Sequence, residues 1–271
     1  MTYPVLPQSF KACFPFRLSA PSFIYPADYL TNARRLCTFV DEIELLVFES
    51  RPESLPSPVE IDQLATLGQR ENLSFNVHLP LDLDLSAADG KQRDTVLERL
   101  TSVIERVRPL TPTTHTLHLP CREMDRHDRA AIAGWQVRTT ENLGQLLKLT
   151  GIDPRSLSIE TLEYPPDCFA SICETLDLSV CVDVGHVLRY GYNLDAVWQR
   201  FASRVTIFHL HGVRDGQDHL ALDNLPDAPK RLIQKLLAGF GGTVSLEVFS
   251  FKKLRASLTC LAEMMLSAGR C

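Results

Sequence analysis

The chain has 271 residues, 45% of them hydrophobic, and a net charge of −5 at neutral pH. That length is enough to bury a large core and suits one (β/α)8 barrel of about 250 residues. The acidic balance argues against a nucleic-acid partner, which needs clustered Lys and Arg, and no apolar run is long enough to suggest a membrane span.

Apolar, β-branched runs alternate with longer amphipathic segments, the pattern of a parallel sheet with crossover helices. An N-terminal extension over 1–14 precedes a strand at 16–20 and a helix at 28–39. A strand at 42–49 and a helix at 57–71 follow, separated by Pro52, Pro56 and Pro58. Further strand–helix pairs are predicted at 73–79 with 91–108, 114–119 with 128–149, and 157–162 with 168–176. The last three pairs are 178–184 with 194–202, 204–211 with 227–238, and 243–249 with 252–267. Gly239, Gly241 and Gly242 stop the seventh helix before the eighth strand. Eight strands and eight helices in alternation predict a closed TIM barrel forming a single domain, with a doubly wound open sheet as the rival.

The eight cysteines contain no C-x-x-C pair and do not read as a disulfide framework. Cys181 lies in a strand run and reads as a small hydrophobe. The opening MTYPVLPQSFKACFPF has no apolar stretch behind a basic start. A cytoplasmic protein with reduced thiols and a small-molecule substrate is the expectation. The sequence leaves the oligomeric state open.

The ionisable residues cluster at one end of these strands. His78 ends the third, His118 the fourth, and Glu160 lies late in the fifth. Asp183 ends the sixth and runs into Gly185 and His186; His209 and His211 lie late in the seventh, and Glu247 late in the eighth. In TIM barrels the carboxyl end of the strands is the active face. Residues two apart share a face of a strand, so Asp183, Glu247 and the His209–His211 pair point inward. Any one of them alone reads as a hydrogen-bonded structural residue. Six consecutive strands presenting the same chemical class at one end predict a divalent cation, which would offset the cost of burying those carboxylates. A His-rich set with carboxylates favours zinc, and manganese or iron also fits.

Other residues are less determined. His211 reads equally as a ligand, a substrate contact or a proton donor, and His115, early in its strand, reads as structural. Glu49 and Glu163 near strand ends bind substrate or pair with arginine. Arg17 and Tyr25 are placed beside the end of the first strand, where an anionic ligand would meet them. Gly185 is read as allowing a tight turn at the strand end. In GVRDGQDHLALDN, Asp215 and Asp223 read as solvated, while His219 precedes an apolar LAL run suited to anchoring the loop. His127 reads as a solvated residue.

At these positions the sequence resembles the superfamily of xylose-isomerase-like TIM barrels, which includes the endonuclease-IV-type apurinic endonucleases. The sugar isomerase and epimerase branch holds one metal on strands five to eight, where this chain has Glu160, Asp183, His209 and Glu247. The endonuclease branch adds ligands matched by His78, His118, His186 and His219. Its loop D-x-H would place an aspartate at Gln217, with Asp218 beside it. More closely, SFIYPADYLTNARRL, DEIELLVFES, NVHLPLDLDL, PTTHTLHLP and VDVGHVLRYG resemble the cobamide-remodelling phosphodiesterases. That resemblance implies hydrolysis of a cobamide such as adenosylcobalamin at its phosphoribosyl bond, giving adenosylcobinamide phosphate and the lower-ligand riboside.

The expected chemistry is metal-assisted phosphoester hydrolysis. Glu160, Asp183, His209 and Glu247 would hold the principal ion. His78, His118 and His186 would complete a second site, with His219 optional, and Glu160, Glu247 and His211 are the candidate catalytic residues. Three other readings stay open: a sugar or sugar-phosphate isomerase or epimerase, an apurinic endonuclease, and a non-catalytic corrinoid-binding protein. His211-Gly212 stands where many such isomerases carry a lysine, and the pI of about 5.9 weighs against the endonuclease.

Overall fold

Several helices begin where short polar side chains can cap them. Asp28, Ser57, Asp89, Asp128 and Asn193 each accept a hydrogen bond from a backbone N–H in the first turn of the following helix, satisfying donors the helix itself cannot. Asn72, Gly151 and Asp177 take left-handed φ just past three helix ends. The computed structural model describes residues 3–87, 89–121 and 128–268. His127 lies outside the described residues.

The strands are β1 (Arg17–Pro21), β2 (Glu42–Leu46), β3 (Ser74–His78), β4 (His115–Leu117), β5 (Leu157–Glu160), β6 (Ser179–Asp183), β7 (Val205–Leu210), β8 (Gly212–Arg214), β9 (Gln217–Leu220) and β10 (Thr243–Leu246). The helices are α1 (Tyr29–Leu36), α2 (Pro58–Glu71), α3 (Gly90–Val107), α4 (Arg129–Thr150), α5 (Asp167–Leu176), α6 (Val184–Arg189), α7 (Leu194–Phe201), α8 (Asp227–Leu237) and α9 (Phe251–Ala268). Strands β1 to β7 and β10 close into a parallel barrel in that order, with β10 against β1. This is the predicted (β/α)8 TIM barrel. Among the described residues, no helix is long and apolar enough to cross a membrane.

Two features depart from strict alternation. Helix α6 follows β6 directly because Asp183 caps it, accepting from the His186 N–H at 2.7 Å. An antiparallel hairpin, β8–β9, folds over the mouth where the sequence suggested only a loop. Several strands also end earlier than predicted. After β10 the chain bends between Leu246 and Val248 through a tight turn, with Val248 N–H donating to the Leu246 carbonyl at 2.8 Å.

The outward strand residues, among them Ile43, Leu45, Ile159, Val180, Val182, Phe208 and Leu246, pack under the helices and are fully or almost fully buried. The inward residues are unusually polar for a barrel, where branched aliphatics dominate. At the amino end, Glu42 accepts from Ser74 Oγ at 2.7 Å, Asn76 Nδ2 at 2.7 Å, and the Thr113 and Thr243 hydroxyls at 3.1 Å. It also pairs with Arg17 Nε at 3.3 Å. This buried carboxylate is fully satisfied by the protein itself.

His115 opens β4, buried, with no hydrogen-bond partner at Nδ1. Burial lowers its pKa from 6.5 to about 4, against a hydrogen bond with the Ser156 backbone that favours the charged form. Between those values the unfolded chain binds a proton that the folded one does not, so this group's contribution to stability falls as pH drops below 6.5. Lowering pH from 7 to 5 is expected to cost wild type about 2 kcal/mol through this residue. Denaturant unfolding at both pH values should show a pH dependence smaller by that amount in His115→Asn.

Candidate metal centre

At the carboxyl end the register brings the donors together. Asp183 pairs with His209 across β6–β7, Ser245 with His209 across β10–β7, and Glu160 with Cys181 across β5–β6. Inward alternation then converges their side chains on the axis. Glu160 is the hub: its Oε2 lies 3.1 Å from His78 Nε2, 3.1 Å from His118 Nε2 and 3.5 Å from His209 Nδ1. Its Oε1 is 3.4 Å from His186 Nδ1. His209 Nδ1 is also 3.4 Å from Glu247 Oε2 and 4.0 Å from Asp183 Oδ2.

Three neighbouring groups each bring their ligand atoms within 4.8 Å of one another: Glu160–Asp183–His209–Glu247, His78–His118–Glu160, and His186–His211–His219. A fourth, overlapping group joins Glu160 and His209 to Cys181. The third group draws on His211 rather than on position 217 or 218.

The donor chemistry fits a divalent ion. His78, His186 and His219 each place Nδ1 against a backbone carbonyl, of Leu79 at 2.9 Å, Thr161 at 3.1 Å and Glu247 at 3.1 Å. A proton held there leaves Nε2 as a lone pair, the orientation typical of ligating histidines. Both nitrogens of His209, Nε2 of His118 and Oε2 of Glu247 are buried without a hydrogen-bond partner. Such orphaned atoms are costly in a dry interior. Glu42, satisfied at the other end of the barrel, is the internal contrast.

The charges are strongly coupled. Burial opposes ionisation of Glu160 and Asp183, but His118 and His209 hold Glu160 well below the usual carboxylate range, and His186 and His211 do the same for Asp183. Glu247 is also lowered, against burial, chiefly by His209. Burial favours neutral imidazoles, yet Asp183 and Glu160 push His186 up to about 11, and Glu160 raises His78. His209 is likewise held well above its ordinary value despite burial, by the carboxylates of Glu44, Glu247 and Glu160. Cys181 also faces it, but burial drives that thiol's own pKa far upward and keeps it neutral. Three carboxylates and their imidazoles therefore compete for protons that a dication would displace.

Beside the donors a cavity of about 230 Å³ is lined by Leu81, His118, Pro120, Leu162, Glu163, His186 and Tyr190. A larger hollow of about 890 Å³, bounded by α3, α4 and the loop after β3, contains none of the donors. The rim carries half-exposed aromatics in contact. Phe23 and Phe48 rings are 5.0 Å apart, Phe48 and Phe249 6.3 Å, and Phe249 and His219 4.9 Å.

The pattern of the xylose isomerase-like TIM barrel family matches residues 40–264. The chain belongs to that family. Among solved structures, it is similar to a D-tagatose 3-epimerase-like protein at a TM-score of 0.76 and 17% identity, covering 94% of this chain and 99% of that one. It is similar to the IOLI protein with a bound zinc atom at 0.71 and 15%, covering 93% and 99%. It is similar to endonuclease IV from Thermus thermophilus at 0.66 and 18%, covering 91% and 99%. At these identities the likenesses speak for the xylose isomerase-like fold. No curated protein sequence matches the chain.

On this xylose isomerase-like barrel the structure gathers all eight predicted ligands at one mouth: His78, His118, Glu160, Asp183, His186, His209, His219 and Glu247. Three of the four substrate candidates are placed away from the donors. Arg17 opens β1 instead of ending it, so it sits at the opposite mouth beside Glu42. Tyr25 is buried against Tyr3 and Phe251, its hydroxyl donating to the Pro4 carbonyl. Glu49 is exposed and accepts from Ser54 Oγ at 3.0 Å. Of the substrate candidates, Glu163 alone lines the cavity beside the donors.

His211 is fully buried, and both ring nitrogens are engaged. Its Nδ1 accepts from the His219 N–H at 2.9 Å, so the neutral ring carries its proton on Nε2, 3.1 Å from Asp183 Oδ1. This makes it a support for Asp183 in this arrangement rather than a free proton donor. Asp218 pairs with Arg189 and joins no donor group among the described residues.

Sequence reasoning missed Glu44, whose Oε1 lies 2.9 Å from His209 Nε2, and the inward placement of Cys181. The alternation Glu42–Ile43–Glu44–Leu45 carried the signal for Glu44: two carboxylates on one face of a predicted strand.

Gly185 serves a different purpose from the turn expected of it. It lies in α6, and a Cβ there would stand 1.9 Å from Cε1 and 2.4 Å from both nitrogens of His211. Gly185→Ala is therefore expected to displace the imidazole from Asp183 and to cost about 1–3 kcal/mol as an overpacked core. Denaturant unfolding measures that loss.

Proposed function

We propose that the protein is a divalent-metal-dependent phosphodiesterase that hydrolyses cobamides at the phosphoribosyl bond. The observation that carries the hydrolytic reading is the sharing of Glu160 between two adjacent donor groups, with the imidazoles of His186 and His219 beside them. A proton shuttle on one metal needs only Glu160, Asp183, His209 and Glu247. The additional imidazoles suit a phosphodiester, whose attacking oxygen, leaving oxygen and phosphoryl charge all need stabilising. When bound, divalent ions would supply Lewis acidity toward the phosphoryl group and acidify water.

The chain's own residues would do the rest. Glu160 and Asp183 hold the ion-binding face, and His211 Nε2–H orients Asp183. Glu247, whose Oε2 is buried without a hydrogen-bond partner, would take a proton from attacking water. Glu163 and Tyr190 on the cavity wall would meet the ribose side of the substrate. The aromatic rim of Phe23, Phe48 and Phe249 suits a large flat apolar body. The choice of a cobamide rests on the resemblance of the sequence segments given above.

A second reading, a sugar epimerase, is favoured by one observation: the Glu160–Asp183–His209–Glu247 set stands complete by itself. The likeness to a D-tagatose 3-epimerase-like protein agrees with it. Incubation with adenosylcobalamin and zinc or manganese, followed by chromatography, separates the two. Adenosylcobinamide phosphate and the lower-ligand riboside are expected. Intact cobamide together with epimerised ketohexose in a parallel incubation would favour the epimerase.

A further inference from the structure

We infer that Glu44 is a positioning residue that holds the His209 proton on Nε2 and so turns the Nδ1 lone pair toward Glu160, Asp183 and Glu247. The inference rests on the reading of that cluster as a divalent-cation site.

Glu44 projects from β2 into the barrel interior and is fully buried. One oxygen accepts from Ser245 Oγ at 2.6 Å. The other, Oε1, lies 2.9 Å from His209 Nε2, the one basic group within ion-pair distance of Glu44 among the described residues. β2 and β7 are not neighbours in the sheet, since β1 and β10 stand between them. The contact therefore spans the barrel interior between strands that are not neighbours, and exists only because the barrel closes. Neither Oε1 nor Nε2 makes an in-line hydrogen bond with any group. A buried carboxylate in that position is costly unless a proton or positive charge faces it.

The two ends of the His209 ring meet different surroundings. Among the described residues, the carboxylate within ion-pair distance of Nε2 is that of Glu44. Nδ1 faces Glu247 at 3.4 Å, Glu160 at 3.5 Å and Asp183 at 4.0 Å, with the Cys181 thiol part of an overlapping group. A neutral imidazole carries one proton. Placed on Nδ1, it would meet the carboxylates there and leave Glu44 against a lone pair. Placed on Nε2, it puts a positive edge of the ring 2.9 Å from Glu44 Oε1 and frees Nδ1 to ligate. Glu44 thus completes a carboxylate–histidine–cation relay of the kind that fixes tautomer and ring orientation. His78, His186 and His219 meet backbone carbonyls for this purpose; His209 faces a side chain.

The test compares wild type with Glu44→Gln, which keeps the shape and removes the charge. Zinc affinity is measured by competition with a chromophoric chelator, and the His209 tautomer by long-range 1H–15N spectra of the zinc-loaded protein. The expected result is Nε2-protonated His209 in wild type and zinc binding weakened about 10–100-fold in Glu44→Gln, with an unchanged melting temperature in excess chelator. If wild type binds zinc but His209 is protonated on Nδ1, or Glu44→Gln binds as tightly, this inference fails while the cation site stands. If wild type binds neither zinc nor manganese, the cation site fails and the inference with it. Should Glu44→Gln not fold, the wild-type tautomer decides alone.

Discussion

Glu160→Gln is expected to lower kcat/KM for the proposed cobamide hydrolysis by at least about 10³-fold, roughly 4 kcal/mol of transition-state stabilisation. Among the described residues, Glu160 alone belongs to both the His78–His118 group and the His209 group. Its carboxylate is nearly fully buried, so solvent cannot replace it. Glutamine retains the volume but offers one neutral acceptor to the imidazoles of His78, His118, His186 and His209, now placed around a charge. Metal analysis alongside kinetics should show loss of more than one ion's worth of binding. Asp183→Asn, by comparison, leaves the His78–His118–Glu160 group whole and should retain metal there. Wild-type turnover and metal content in Glu160→Gln would remove the shared carboxylate from the mechanism.

Metal removal should have the second large effect. An ion present at about 1,000 times its dissociation constant stabilises a fold by about 4 kcal/mol. For a chain of this size that corresponds to a fall in melting temperature of roughly 10 °C on chelation. The pH dependence should then differ in sign between the two forms. Without metal, the raised pKa of His186, about 11, contributes stability that is complete below 6.5 and declines as pH rises toward 11. With metal, binding must displace protons from His186, His78 and His209, all raised, so affinity increases with pH. Calorimetric titration of zinc in buffers of different ionisation enthalpy should register proton release. Melting temperatures that do not respond to chelator would mean that the carboxylates are stabilised by imidazolium partners alone.

Much of this arrangement was legible along the chain. The alternation of strand and helix patterns gave the barrel. Strand direction then placed His78, Asp183, His209 and Glu247 at one mouth, because in a parallel barrel every strand shares the same carboxyl end. Asp183 followed by His186 was readable as a strand running into a pocket, although the short α6 and the capping role of Asp183 were not. The β8–β9 hairpin was also missed, because its strands are short, polar and half-exposed, without the apolar alternation that marks a strand.

The sequence by itself determined which residues face inward and which end of the barrel carries the ionisable groups, since both follow from a two-residue period and a common strand direction. Only the tertiary structure decided which inward residues meet. Closure of the barrel sets Glu44 against His209, a contact with no local signature at either position. It also leaves Arg17 at the far mouth neutralising Glu42, and brings His211 so close to α6 that Gly185 admits no side chain. Those contacts depend on the stagger between strands far apart in the chain, a property of how the barrel closes that no single strand's pattern contains.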